Sequence, residues 1–134
     1  MPEPVGFEAI PIGFEVGPFE LTLDEETVRE RVELVQWQGE NLMDEFGIAP
    51  PGITIVHHAR MKFEALPDLK VSIWAKSEHE FIKPMKIGST VTIRGKVVEK
   101  YNKRGRNYIV TEYETVDESG DVLLRSVETG LYVE

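Results

Sequence analysis

The sequence predicts an α+β domain in which an antiparallel sheet wraps around one central helix. Helical spacing of apolar residues is confined to the first half of the chain, and four consecutive strand-like runs fill the second half. The turns between those runs are short, so successive strands become antiparallel neighbours. At 134 residues the chain fits one domain, because a second independent core would be too small to stand alone.

Residues 1–18 carry Pro2, Pro4, Pro11 and Pro18 with Gly6, Gly13 and Gly17, and read as an irregular arm ahead of a single domain over 19–134. Phe19-Glu-Leu-Thr-Leu23 alternates as a short half-buried strand. Thr22 and Glu25 have capping-box spacing, and Val28, Val32 and Val35 put an apolar stripe on a helix reaching about Trp37, stopped by Gly39. Residues 38–52 form a loop or broken helix. After Pro50-Pro51, the spacing of Val56, Ala59, Phe63 and Leu66 predicts a helix over 53–66, although Ile53-Thr-Ile-Val56 is β-branched. That helix, with its apolar stripe inward, is the one expected to cover the concave face of the sheet. Val71, Ile73 and Ala75 share a strand face with Phe81 in phase, and Pro84 and Gly88 break the run before Thr90–Arg94. Lys103-Arg-Gly-Arg-Asn107 turns into a strand from Tyr108 to Val116, and 117–121 turns into the last strand, Val122 to Val133. Pairing the sheet edges of two copies would hide them, so a symmetric dimer is expected.

Composition removes several function classes. There are no cysteines, which excludes disulfides, thiolate zinc or iron–sulfur ligation and cysteine nucleophiles. No apolar stretch is long enough to span a bilayer, and the start lacks the basic and apolar regions of a signal peptide. A cytoplasmic protein without membrane contact is expected. A formal net charge of −9 repels nucleic-acid phosphates, so no nucleic-acid partner is expected. His57 and His58 are adjacent and diverge by about 100° on a helix, so they do not chelate together, and no metal site is expected.

Three stretches carry a family likeness: Phe19-Glu-Leu-Thr-Leu-Asp-Glu-Glu-Thr-Val-Arg29, Ile48-Ala-Pro-Pro-Gly52, and Glu80-Phe-Ile-Lys-Pro-Met-Lys-Ile-Gly-Ser-Thr-Val-Thr92. In this order they resemble the MaoC-like (R)-specific enoyl-CoA hydratases and dehydratases of the hot-dog fold. The resemblance covers roughly residues 19–133. It implies an acyl-CoA or acyl-carrier thioester as ligand, no cofactor, and a homodimer or a heteromer with another hot-dog subunit. The family's catalytic loop resembles Gly-Asp-x-Asn-Pro-x-His. Here the loop reads Gly39-Glu-Asn-Leu-Met-Asp-Glu-Phe-Gly47, with Glu40 in the aspartate's place and neither the proline nor the histidine.

Hydration of an enoyl thioester needs a base, an acid and donors for the thioester oxygen. A helix starting after Pro50-Pro51 offers backbone N–H groups at Gly52 and Ile53, and Gly52 lets a carbonyl approach closely; a stiffened helix start is the plainer reading. Asn41, kept from the family's loop, joins them as a thioester-binding candidate. Glu40 and Asp44 are the candidate bases, since Leu42, Met43 and Phe46 can raise a carboxylate's pKa; a solvated acidic loop is the alternative. One of the paired histidines can replace the missing loop histidine, with His57 the candidate, against a plain hydrogen-bonded contact of helix and sheet. His79, between Glu78 and Glu80, reads as structural. Lys103, Arg104 and Arg106 are candidates for the phosphates of coenzyme A or an acidic carrier protein, against a merely soluble hairpin tip. Besides hydration, two readings stay open: a noncatalytic subunit that binds an acyl thioester or supports an active partner, and an acyl-CoA thioesterase.

Overall fold

The computed structural model describes residues 6–38 and 44–133. A five-stranded antiparallel sheet is built from β1 (Glu15–Thr22), β2 (Val71–Phe81), β3 (Thr90–Lys103), β4 (Arg106–Val116) and β5 (Val122–Val133), in the order β1-β3-β4-β5-β2. Helix α1 (Glu25–Val35) follows β1, and α2 (His57–Ala65) precedes β2. This is the α+β layout of a sheet curled around a central helix, and the four long strands fall where alternation and turns put them. No helix among the described residues is long and apolar enough to cross a membrane.

Several expectations need correction at their edges. The first strand begins at Glu15, four residues before Phe19, because Val16 is buried and pairs with Gly95. The arm before it is stitched into the core: Phe7 and Ile10 pack with Leu66, Leu69, Val97 and Tyr132. Lys100 holds it there, donating to the Phe7 carbonyl at 2.9 Å with its ammonium over the Phe7 ring. Helix α1 is capped by Asp24, whose carboxylate accepts from the Thr27 N–H at 2.7 Å, not by Thr22. It ends at Val35, with Gln36 in the left-handed region at φ 53°. Val28 and Val32 are buried beneath it, and Val35 is not.

The central helix departs most from expectation. Residues 50–58 wind through turns in which Ile53 N–H donates to Pro50, Ile55 to Gly52 and His57 to Thr54, so the α-helix proper starts only at His57. The β-branched run resists regular α-helix, as its restricted rotamers dictate. The buried stripe is also different. Thr54, His58 and Lys62, at four-residue spacing, face inward with Met61 and Leu66, whereas Val56 and Phe63 are 46% and 38% exposed.

On β2, the register shifts between Trp74 and Lys76, where Ala75 has no partner across the ladder. The strand therefore changes face midway. Val71 and Ile73 do not share a side with Phe81, which pairs with buried Leu124 on the concave face.

Candidate functional site

Two neighbouring features of the concave side can carry chemistry. The first is an apolar cleft of about 210 Å³ walled by Ile48, Ala49, Pro51, Phe81, Ile82 and Met85, with Lys83 at its rim. Its two walls are tied by the backbone, Ala49 N–H to Met85 at 2.8 Å and Ile87 N–H to Gly47 at 2.7 Å. Pro51, within the turn Pro50–Gly52, forms part of one side. Only Ile55 Cδ1, 3.9 Å away, lies near the position a Gly52 Cβ would take, so a ligand carbonyl has room at that backbone. The Ile53 N–H, by contrast, is engaged by the Pro50 carbonyl at 3.1 Å. A larger groove of about 400 Å³ lies on the outer face among Glu15, Arg94, Lys96, Glu112 and Glu114. Its charged walls suit water rather than an apolar ligand.

The second feature is a polar track between α2 and the sheet. His58 Nδ1 lies 2.6 Å from Glu128 Oε2, and both side chains are fully buried. The His58 ring stacks on Tyr113 at 4.1 Å, and the Tyr113 hydroxyl donates to the His58 carbonyl at 3.3 Å. Burial, and secondarily the Glu128 charge, push the Tyr113 phenol well above its ordinary range, so it stays a neutral donor. Lys62, one turn beyond His58, is buried too. Desolvation pulls its pKa down, against the opposing pull of Glu128. Four buried atoms here, Thr54 Oγ1, His58 Nε2, Thr115 Oγ1 and Glu128 Oε1, have no partner among the described residues. Nearer the cleft, His79 Nδ1 lies 2.7 Å from the Oγ of buried Ser126.

The residues singled out from sequence fall in separate places. Glu40 and Asn41 lie outside the described residues. Asp44 is exposed and faces Arg29 at 3.4 Å, which already holds Glu25. His57 is half-buried and stacks on Phe19 at 5.0 Å, away from the cleft walls; burial lowers its pKa, with the charges of Arg60, His58 and Arg31 adding to that. Lys103, Arg104 and Arg106 occupy an exposed hairpin tip in which Arg104 and Gly105 both have positive φ. By strand register this tip lies at the Tyr132 end of β5, whereas the cleft lies at the Leu124 end. The two are roughly 25–30 Å apart along the strands, so one protomer's hairpin does not overhang its own cleft.

Sequence reasoning missed His58, Lys62 and Glu128 as a group. Their sequence signal was thin: a polar stripe Thr54-His58-Lys62 at helical spacing inside a segment that also carried an apolar one. Glu128, 70 residues from His58, gives that stripe its meaning only once the strands are paired.

No family model matches the sequence, and no curated protein matches it. Solved structures do share its fold. A monoamine oxidase regulatory protein from Archaeoglobus fulgidus superposes with a TM-score of 0.79 at 18% identity, covering 98% of this chain and 95% of that one. An (R)-hydratase from A. caviae involved in PHA biosynthesis gives 0.78 at 12%, covering 95% and 100%. A (3R)-hydroxyacyl-ACP dehydratase complex from Mycobacterium tuberculosis gives 0.74 at 16%, covering 90% and 96%. At such identities the likeness is one of fold.

Proposed function

We propose that this chain, which has the hot-dog fold of the MaoC-like dehydratases and (R)-hydratases, binds an acyl thioester and adds or removes water at its enoyl group. The observation that carries the proposal is the apolar cleft lined by Pro51, next to Gly52 in the chain. An acyl group fills the space between Ile48, Phe81 and Met85, and the thioester oxygen turns to the Gly52 N–H. A backbone donor already in place stabilises the enolate that forms when water attacks. The cleft's volume favours a short acyl group, carried by coenzyme A or a carrier protein. Glu40 and Asn41 remain candidates for base and orienting residue. Asp44 is the weaker base, because Arg29 neutralises it in an exposed setting.

The chain works as a dimer in this reading. Its β2 edge is free to pair with a second copy, and in-plane pairing uses backbone groups rather than the concave-face side chains. Such a dimer also brings in a second protomer's basic hairpin, Lys103, Arg104 and Arg106, as a phosphate-binding element.

Purified protein added to crotonyl-CoA tests the activity, with the enoyl absorbance followed beside a thiol reagent. Loss of absorbance without thiol release is the expected result. Thiol release identifies a thioesterase instead. The absence of a histidine from Gly39–Gly47 favours one further reading, a thioester-binding subunit without activity of its own. Butyryl-CoA binding with neither signal points to it.

A further inference from the structure

We infer that Met85, beside Ala49 on the floor of the cleft, limits the bound acyl group to about six carbons. The inference rests on the thioester reading and narrows its substrate. Exposure divides the cleft's lining into two sets. Phe81 and Ile82 are 53% and 40% exposed, whereas Met85 and Ala49 are 2% and 0% exposed. The exposed apolar side chains form the mouth. A lining residue with almost no exposure presents only a sliver of its surface to the cleft, which places it at the bottom.

Behind that floor lies packed core. Met85 and Ala49 belong to the cluster of Leu23, Val28, Ile53 and Leu124, and such interiors are about as dense as organic crystals. The two floor residues are also tied to each other, the Ala49 N–H donating to the Met85 carbonyl at 2.8 Å. An acyl chain that reaches Met85 therefore stops there. Of the two, Met85 sets the depth, because its side chain extends well beyond Cβ and that of Ala49 ends at it.

The permitted length follows from volume. One water takes roughly 30 Å³ in the liquid, and at that share for each small group about 210 Å³ holds a thioester oxygen and about six carbons. Each methylene buried on the way to the floor adds roughly fourfold to affinity. The gain ends at Met85, where a longer tail either stays in water or overpacks the core.

The test measures binding of the unreactive butyryl-, hexanoyl- and octanoyl-CoA by calorimetry, in wild type, Met85→Ala and Phe81→Ala. In wild type, hexanoyl-CoA is expected to bind roughly 15-fold tighter than butyryl-CoA, and octanoyl-CoA no tighter than hexanoyl-CoA. Met85→Ala is expected to keep butyryl-CoA affinity within about twofold and to bind octanoyl-CoA roughly 15-fold tighter than wild type does. Phe81→Ala, at the mouth, is expected to weaken all three without moving the limit. A wild-type affinity that climbs evenly through octanoyl-CoA overturns the assignment, as does a limit that Met85→Ala leaves in place; binding itself still upholds the thioester reading. A wild type that binds none of the three overturns both. Where Met85→Ala does not fold, Met85→Val decides: heptanoyl-CoA bound more tightly than hexanoyl-CoA supports the assignment, and an unmoved limit removes it.

Discussion

Two adjacent histidines in this chain have opposite fates, decided by a rotation of about 100° between successive helical residues. His58 turns into the core and finds Glu128; His57 turns to Phe19, with Arg60 over the same ring at 5.8 Å. Burial first, and then the charges of Arg60, His58 and Arg31, lower the His57 pKa. The unfolded chain therefore binds that proton more tightly than the folded one. The His57 contribution to stability is whole above the ordinary imidazole range and is lost as pH falls through it toward the folded value. Urea midpoints measured between about pH 5 and 8 should fall on the acid side, and His57→Gln should flatten the slope. An equal slope in wild type and variant would place the acid sensitivity elsewhere. Gly95 shows the same sensitivity to a single atom: a Cβ there would stand 2.8 Å from the buried Tyr113 ring, and so β3 can pass close above that ring only as glycine.

At the scale of elements, α2 and β5 are joined by the buried His58–Glu128 hydrogen bond as well as by apolar contact. A buried polar pair is weak evidence for stability, because taking both groups out of water offsets much of their attraction. Breaking such a pair is another matter, since the remaining group is stranded in the core. Glu128→Ala is expected to destabilise the fold by about 3–5 kcal/mol, read from urea denaturation. Replacing both partners, His58→Leu with Glu128→Leu, should recover much of that loss, and a double variant as unstable as the single one would contradict this account. The apolar stripe of Val56 and Phe63 points away from this contact. Periodicity alone put that stripe inward; the polar stripe won because it had a partner on β5 that spacing within one helix does not reveal.

For the whole molecule, the two sheet edges are unlike. On β1 the register shifts between Val16 and Phe19, around Gly17 and Pro18, which blunts that edge against further pairing. The β2 edge is 11 residues long. It carries Val71, Ile73, Trp74 and Phe81 at 47–54% exposure. A long apolar edge of this kind is the one expected to pair with a second copy. Sedimentation velocity should give twice the mass of the chain, and Ile73→Asp should shift it toward the monomer. A wild type that stays monomeric at high concentration would remove the dimer from the proposal.

Local signals determined the layout: the four long strands from their alternation, and the turns from Gly-containing tips at Gly105 and Gly120. They also marked Pro50–Pro51 as the entry to a helix and Pro84 as a strand break, and residues of both stretches line the cleft. The arm's burial, the later start of α2 and its buried face were decided elsewhere. Phe7 and Ile10 look like loop residues until Tyr132 and Val97 are folded beneath them. The reason is the same in each case. Propensity and periodicity act over a few neighbouring residues, whereas His58 and Glu128, or His79 and Ser126, meet across 70 and 47 positions. Such pairs exist only once strand register is set, and it is tertiary structure that turned three scattered histidines into one buried against Glu128, one stacked on Phe19 and one bonded to Ser126.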